Sequence, residues 1–571
     1  MAKTIGKEME SMGVKQHIMP VGESDYAVIV NSYYYVDKTL MIRDVLDQVS
    51  GVFLFTRPRR FGKSTNMSML KTYFEKADCD TAYLFQDKLI WGCGDEYTSE
   101  QGKYPVIALS FKSVSHSTWE GALENIRILI SNEFKRHRSK LDWSDMDPDD
   151  RAIFERIATK KSSIFELQDS LRFLAQLLHD QFKERVIILI DEYDAPVQYG
   201  YSNGYYPSVI EFVRVLLVSA LKDNSIVRFG FLTGILRVTK ESIFSGLNNV
   251  TVFGITSTAF ASYFGFTQTE VQQILQVHRM EDKIDEVKEW YDSYKFGDQD
   301  IYNPWSIGNY VRYNTGPVAH WVETGATEQI KNFVANANSK VLGALTSLMN
   351  GNGIRIRVNE HIIYPRLTDN AENIFSFLLM AGYLKATDIN KQGYKYDALL
   401  SVPNKEVMSL YVDEISEAFK DSLPNNTYEE LRDSIENLDF EKLRDVLARI
   451  TTTNISVFDS STEGFFHGLL LCVCVLTANN YCTLSNRESG TGRYDVALYP
   501  LKEGIPAIIF ELKHATGSES VEDRAVDALN QINARAYETD LHSFGHVDVL
   551  KVGIAFKGKG EVSIKYQRNN A

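Results

Sequence analysis

A chain of 571 residues with 44% hydrophobic and 24% charged residues has ordinary globular composition and material for three or four domains, which excludes a disordered or low-complexity protein. Its 61 basic and 75 acidic residues leave a net charge of −14, which excludes broad, non-specific attraction to nucleic acid as the basis of function. Cys79, Cys93, Cys472, Cys474 and Cys482 lack paired zinc spacing, no stretch reaches membrane-spanning length, and Met1 to Glu8 lacks a signal-peptide core, so a reduced, soluble, cytoplasmic protein without membrane contact is expected.

In chain order, the first informative stretch runs from Gly51 to Thr65, where the apolar run Val52-Phe53-Leu54-Phe55 breaks into a loop ending Gly62-Lys63-Ser64 and then a helical pattern. Such a loop cradles phosphates with backbone N–H groups and a helix N-terminus, its lysine neutralises β/γ charge, and its serine hydroxyl ligates Mg²⁺. Arg60, Gly62, Lys63, Ser64 and Thr65 are therefore candidate ATP-binding residues. The usual first glycine of the pattern is replaced by Arg57, and an ordinary basic loop opening a helix is the plain alternative.

Next come the strand-like run Tyr104 to Phe111 and the helical patterns Trp119 to Arg136 and Ile164 to Phe182. Val186 to Ile190 is then a continuous apolar run of buried parallel-strand type, ending in Asp191 and Glu192. At such a strand end the first acid, Asp191, is placed to hold Mg²⁺ and the second, Glu192, to polarise the attacking water, with Asp194 a third acid nearby. Two further runs, Val227 to Gly234 and Val250 to Gly254, complete an alternation of strands and helices. That alternation predicts a mostly parallel sheet with ligands at the carboxyl ends of its strands. Thr233 takes a sensor-like place there, and Arg237 lies within reach of the same phosphate, a solvated surface arginine being its equal alternative.

After Thr258 the rhythm turns helical, with Gln268 to Val277, Asp282 to Tyr294, a possible wing over Thr368 to Asp397, and a charged amphipathic helix pair over Tyr428 to Ile450. The aromatics Trp290, Tyr291, Trp305 and Trp321 read as core. Farther on, Gly490 to Pro500 and Ile505 to Lys513 form a hairpin around Leu501 to Gly504. A turn centred near Glu503 sets Asp495 opposite Glu511, and period-2 alternation sets Glu511 and Lys513 on one face. Opposed carboxylates favour a cation between them, so Asp495 and Glu511 are candidate ligands for Mg²⁺ or Mn²⁺, with Lys513 acting on the attacking water. A chance hairpin with a charged face is the plain alternative.

This Asp…Glu-x-Lys pattern resembles that of the PD-(D/E)XK phosphodiesterases. Upstream, Glu463 and His467 share a helix face; downstream, Gln531 and Tyr537 resemble the Gln…Tyr helix of RecB-like members. The chain as a whole resembles prokaryotic proteins with an N-terminal AAA-ATPase-like domain and a C-terminal PD-(D/E)XK nuclease domain. Tyr35 to Thr39, Arg57 to Ser64, Asp191 to Asp194, Ser242 to Asn249, Tyr302 to Ser306, Trp321 to Gly325, Gly382 to Leu384 and Pro403 to Val407 carry that likeness. Arg57 looks usual in that family.

The resemblance implies an α/β protein: a P-loop NTPase parallel sheet over 1–258, a helical or winged-helix lid over 259–415, and a restriction-endonuclease-like nuclease domain over 416–571. Glu463, Asp495, Glu511 and Lys513 then form the nuclease site, with Glu192 the ATPase base. The expected function is ATP-regulated, metal-dependent cleavage of nucleic acid, DNA first, with a homo-oligomer allowed for. The alternative is a nucleotide-switch scaffold that binds nucleic acid or protein without cutting; a small-molecule phosphotransferase is weaker, for want of an acceptor motif. Lys551, Lys557, Lys559, Lys565 and Arg568 offer local positive charge beside the nuclease site or, equally, a solubilising edge strand.

Overall fold

The computed structural model describes residues 18–48, 51–237, 249–314, 316–321, 339–349, 351–392, 395–411, 414, 426–453, 470, 477, 480–485, 488–489, 492–502, 504–535, 548–558 and 560–569. The chain divides into two compact units, Met1–Trp321 with Ile356–Glu406, and Val322–Arg355 with Val407–Ala571.

In the first unit the apolar runs become β1 (Val52–Thr56), β2 (Val106–Ser110), β3 (Val186–Asp191), β4 (Val227–Gly234) and β5 (Val250–Phe253), in the order β2-β3-β4-β1-β5. Every pairing is parallel. β1 and β3 are buried along their whole length, as strands covered on both faces must be. Phe55 stacks on Phe231 of β4 at 4.6 Å and on Phe253 of β5 at 5.0 Å, so aromatic pairs lock three neighbouring strands. Helices Trp119–His137 and Ile164–Phe182 fall where the periodicity puts them. The second is started by a capping box between Ser163 and Glu166.

The same unit continues with β6 (Phe266–Thr267), β7 (Tyr294–Phe296) and β8 (Gln299–Tyr302), an antiparallel sheet of order β6-β8-β7. Helices Gln268–Val277, Ile284–Tyr291 and Pro304–Tyr313 pack around a core containing Val271, Ile274, Tyr291, Tyr302 and Tyr310. Tyr291 and Trp321 are core residues as expected, while Trp290 is only partly buried against that core. Where a wing is expected, helix Ala371–Ala381 leads into an antiparallel hairpin; with β9 (Ile354–Val358), strands β10 (Lys385–Gln392) and β11 (Lys395–Ser401) make a sheet of order β10-β11-β9.

The second unit includes helix Ser339–Met349 and, farther along the chain, helices Thr427–Glu436 and Phe440–Thr453, the expected amphipathic pair. Its sheet contains β12 (Tyr481–Ser485), β15 (Val496–Pro500), β16 (Ala507–His514), β17 (Val549–Lys557) and β18 (Glu561–Asn569), in that order, beside a short ladder of β13 (Glu488–Ser489) and β14 (Gly492–Arg493). β16 and β17 are parallel, so a crossover must join them, and helix Val521–Arg535 supplies it. Gly553 of β17 makes room for that helix: a Cβ there would lie 2.5 Å from Ala525 O and 2.6 Å from Leu529 N.

Candidate functional site

β1 ends in the loop 57–62, and helix Lys63–Phe74 begins at Gly62, whose φ of +81° is left-handed. A Cβ built there meets nothing within 4 Å, so this glycine is required by its backbone conformation rather than by space. Lys63 is buried and its ammonium donates to Arg57 O at 3.1 Å and Pro58 O at 2.8 Å. Burial lowers its pKa, and the charges of Glu192, Asp191 and Asp194 oppose that shift. The Ser64 hydroxyl donates to Asp191 Oδ2 at 2.6 Å, and the Thr233 hydroxyl donates to Asp191 Oδ1. β4 lies between β1 and β3, which is why its Thr233 reaches the acid at the end of β3. Thr65 is half-buried in the first turn of the helix.

Glu192 stands in the left-handed region at φ +52°, a conformation that non-glycine residues hold only under constraint, and its N–H donates to Thr233 Oγ1 at 3.3 Å. Burial raises the pKa of its carboxyl, Lys63 acting against the shift. Asp194, read from the sequence as a third acid nearby, is a clamp: it accepts from Ile235 N and Leu236 N at 2.9 Å each. Tyr193 completes the clamp by donating to Leu236 O at 2.6 Å. Residues 235–236 lead directly to Arg237, which is partly buried rather than a solvated surface side chain, and whose pKa burial lowers.

The loop's arginines part company. Arg57 points inward, fully buried, donating to Thr56 O at 2.9 Å and Phe253 O at 2.7 Å with its guanidinium against the rings of Phe264 and Phe296. Burial lowers its pKa to about 9. The residue that breaks the glycine pattern thus fastens the end of β1 to β5. Arg59 donates to Gln198 Oε1 at 3.2 Å, and Arg60 lies over the Trp305 ring. Pro58 packs against Gly382, where a Cβ would sit 2.7 Å from the proline ring.

In the second unit the hairpin register is Val496↔Phe510, Ala497↔Ile509 and Leu498↔Ile508, which carries Asp495 opposite Glu511. Asp495 Oδ2 accepts from Leu512 N at 2.7 Å. Glu511 is 3% exposed and accepts from Lys513 Nζ at 3.4 Å and from the Gln531 side chain. Gln531, a weak signal in the sequence, is therefore a direct partner of the acid, brought there by the close packing of its helix on β17. The two carboxylates supply oxygen donors of the kind that suit Mg²⁺ or Mn²⁺ rather than a softer ion, while Lys513 and Gln531 donate to Glu511 and hold it. Glu463, His467 and Tyr537 lie outside the described residues. Among the described residues no group of three or more His, Cys, Asp or Glu side chains is placed to hold a metal. The basic tail is less free than its sequence suggests: Lys551 is buried and donates to Asn533 Oδ1 at 2.8 Å, and Arg568 pairs with Asp548 at 2.7 Å. Lys557 donates to Glu519 O, Lys565 is exposed, and Lys559 lies outside the described residues.

Residues 20–244 match the family model described as predicted AAA-ATPase, and residues 461–566 match that of the PD-(D/E)XK nuclease superfamily. The chain carries both domains. It is also 27% identical over 299 residues to a protein of Azotobacter chroococcum mcd 1 described as "Uncharacterized protein in vnfD 5'region". That alignment covers 51% of this chain and 51% of the relative, so the chain spans about half the length of the curated relative it matches. Among the described residues no helix is long and apolar enough to cross a membrane.

Proposed function

We propose that the protein is an ATP-binding, metal-dependent nuclease whose cleavage of nucleic acid, DNA first, answers to nucleotide state. The observation that carries this reading is the meeting of Asp495, Glu511 and Lys513 on one hairpin face, in a chain that also has a phosphate loop. Lys63 and the loop's N–H groups would take the nucleotide phosphates, while Ser64 and Asp191 would hold its Mg²⁺. Thr233 orients Asp191, and Glu192, its carboxyl kept basic by burial, receives the proton of the attacking water. Arg237 reaches the γ-phosphate from the segment that Asp194 fixes. In the nuclease domain Asp495 and Glu511 would hold a divalent cation, which when bound would lower the pKa of its water and stabilise charge on the phosphate. Lys513 orients that water, Gln531 holds Glu511 in place, and Glu463 is assigned to the same site. The three-part division at 258 and 415, the cytoplasmic location and a homo-oligomeric state belong to the same proposal.

The test is cleavage of plasmid, linear and single-stranded DNA and of RNA by the full chain with Mg²⁺ or Mn²⁺, in apo, ATP and ADP states. Asp495→Ala and Glu511→Ala should each lose roughly 10³-fold in rate with ATP binding unchanged, since the metal supplies several kcal/mol of transition-state stabilisation. Wild-type cutting by both variants would remove the nuclease assignment. Retained nucleic-acid binding by a wild-type chain that never cuts would favour the scaffold.

A further inference from the structure

Arg60 is held in the left-handed region at φ +69°, which a residue with a side chain adopts only under constraint, and its guanidinium lies 3.5 Å from the centroid of the Trp305 ring. The ring is framed on its other sides. Trp305 N donates to Asn303 Oδ1 at 2.9 Å and its indole Nε1 donates to His320 O at 2.9 Å. The adjoining Ser306 hydroxyl donates to Glu406 Oε2 at 2.7 Å, and Trp321 N donates to Glu406 Oε1 at 3.0 Å. Trp321 and Glu406 are the last residues of the first unit before the chain enters the second. An arginine of the phosphate loop thus rests on a ring that is hydrogen-bonded to His320 O, next to one exit, while the adjoining Ser306 is hydrogen-bonded to Glu406 at the other.

We propose that Arg60 exchanges partners, leaving the Trp305 ring for the phosphates of a bound nucleotide, and so reports occupancy of the phosphate site to residues 320, 321 and 406. The inference rests on the phosphate-loop reading above. A charge-assisted, bidentate bond from guanidinium to phosphate is stronger than a partly exposed cation–π contact, so the phosphate wins the competition. The contact given up must lower the affinity for nucleotide, because a ligand shifts a conformation only through its differential affinity for the two states. Removing the ring should therefore tighten ATP binding.

Calorimetry with Mg²⁺ and ATP on the full chain tests this. Trp305→Leu should bind ATP roughly two- to tenfold more tightly, the range that a cation–π contact of ordinary strength implies. Arg60→Ala should bind more weakly, and in that background Trp305→Leu should change nothing. A merely structural role for Trp305 would not vanish with Arg60. As a readout that needs no destabilising variant, the wild-type chain carries six tryptophans, and incorporating 5-fluorotryptophan gives each a fluorine resonance. The Trp305 signal, assigned by its loss in Trp305→Phe, should shift on saturation with ATP and stay fixed in Arg60→Ala. A Trp305 resonance that does not move while calorimetry shows ATP bound overturns the exchange and leaves the phosphate loop standing. So does an unchanged or weaker ATP affinity in folded Trp305→Leu. No ATP binding by the wild-type chain would instead bring down the phosphate-loop reading, and this inference with it.

Discussion

The two charged clusters are built with opposite polarity. In the first unit a buried cation, Lys63, sits among the acids Asp191, Glu192 and Asp194; in the second a buried acid, Glu511, sits against Lys513 and Gln531 with Asp495 across the hairpin. On the function proposed above, the first arrangement suits a ligand that brings anionic phosphate and a divalent cation together. The second, on the same proposal, offers the Asp495 and Glu511 carboxylates to a cation. They also differ in how the fold delivers them. Asp191 and Thr233 come from the ends of parallel strands, and Lys63 and Ser64 from the first turn of the helix that follows β1, so the cluster gathers at the carboxyl ends of the strands. Glu511 lies within a strand under a helix, so its chemistry depends on packing across a sheet face.

The sharpest way to break this comparison is to remove the cation from one cluster. Lys63→Ala should lower ATP affinity by roughly 10³-fold, because the phosphates lose their counter-charge and three acids lose theirs. Glu192→Gln should keep ATP bound and reduce turnover about 10²- to 10⁴-fold, the usual contribution of a general base. Calorimetry and phosphate release measure the two separately. An unchanged ATP affinity in Lys63→Ala would contradict the polarity assigned to the first cluster.

Much of this was legible because local pattern and tertiary structure agree. Helix Ile164–Phe182 and strand Val227–Gly234 appear at the bounds that periodicity and flanking residues set. The hairpin register follows from the turn alone, since centring it near Glu503 fixes Asp495 opposite Glu511, and the ladder Val496↔Phe510 has that register. What sequence cannot encode locally is contact between distant segments. The reach of Arg60 to Trp305, the inward turn of Arg57 onto Phe253 O, and the clamp of Asp194 on Ile235 and Leu236 depend on elements folded far apart in the chain. Lys551 reads as part of a basic tail because alternation on an edge-proximal strand does not tell which face a helix will cover.

Glu406 gives a smaller and complementary test, a buried acid held by neutral donors. The Ser306 hydroxyl and the Trp321 and His320 N–H groups bind it, Tyr291 and Tyr294 stand near, and burial raises its pKa to about 7. In the unfolded chain a glutamate titrates near 4.3. The folded state therefore keeps a proton that the unfolded state releases. This group's contribution is most favourable below about pH 4, is lost as pH rises from about 4 to 7, and is flat above, a span of about 4 kcal/mol at most. Glu406→Gln should remove that part of the pH dependence, so denaturant-derived stabilities of variant and wild type should diverge steadily between pH 5 and 7. Parallel curves would show that the carboxyl ionises on its ordinary terms.

One substitution made in both units compares how tightly each cluster is supported. In Gly234→Ala the new Cβ would meet Asp194 Oδ1 and Tyr193 Cε1, both at 2.7 Å. These are side-chain atoms that can yield, but they belong to the clamp on residues 235–236. In Gly553→Ala the new Cβ would meet Ala525 O at 2.5 Å and Leu529 N at 2.6 Å, backbone atoms inside a helix that yield only if the helix moves as a body. Overpacking a filled interior costs about 1–3 kcal/mol, so both variants should lose stability, with Gly553→Ala at the upper end. Their functional signatures should separate. Gly234→Ala should slow ATP turnover with cleavage chemistry intact, because the segment leading to Arg237 shifts. Gly553→Ala should lower cleavage and leave ATP affinity alone, because displacing helix Val521–Arg535 draws Gln531 away from Glu511. If Gly553→Ala cut at the wild-type rate while unfolding earlier, Gln531 would be a packing residue, and the second cluster would rest on its strand residues without support from the helix.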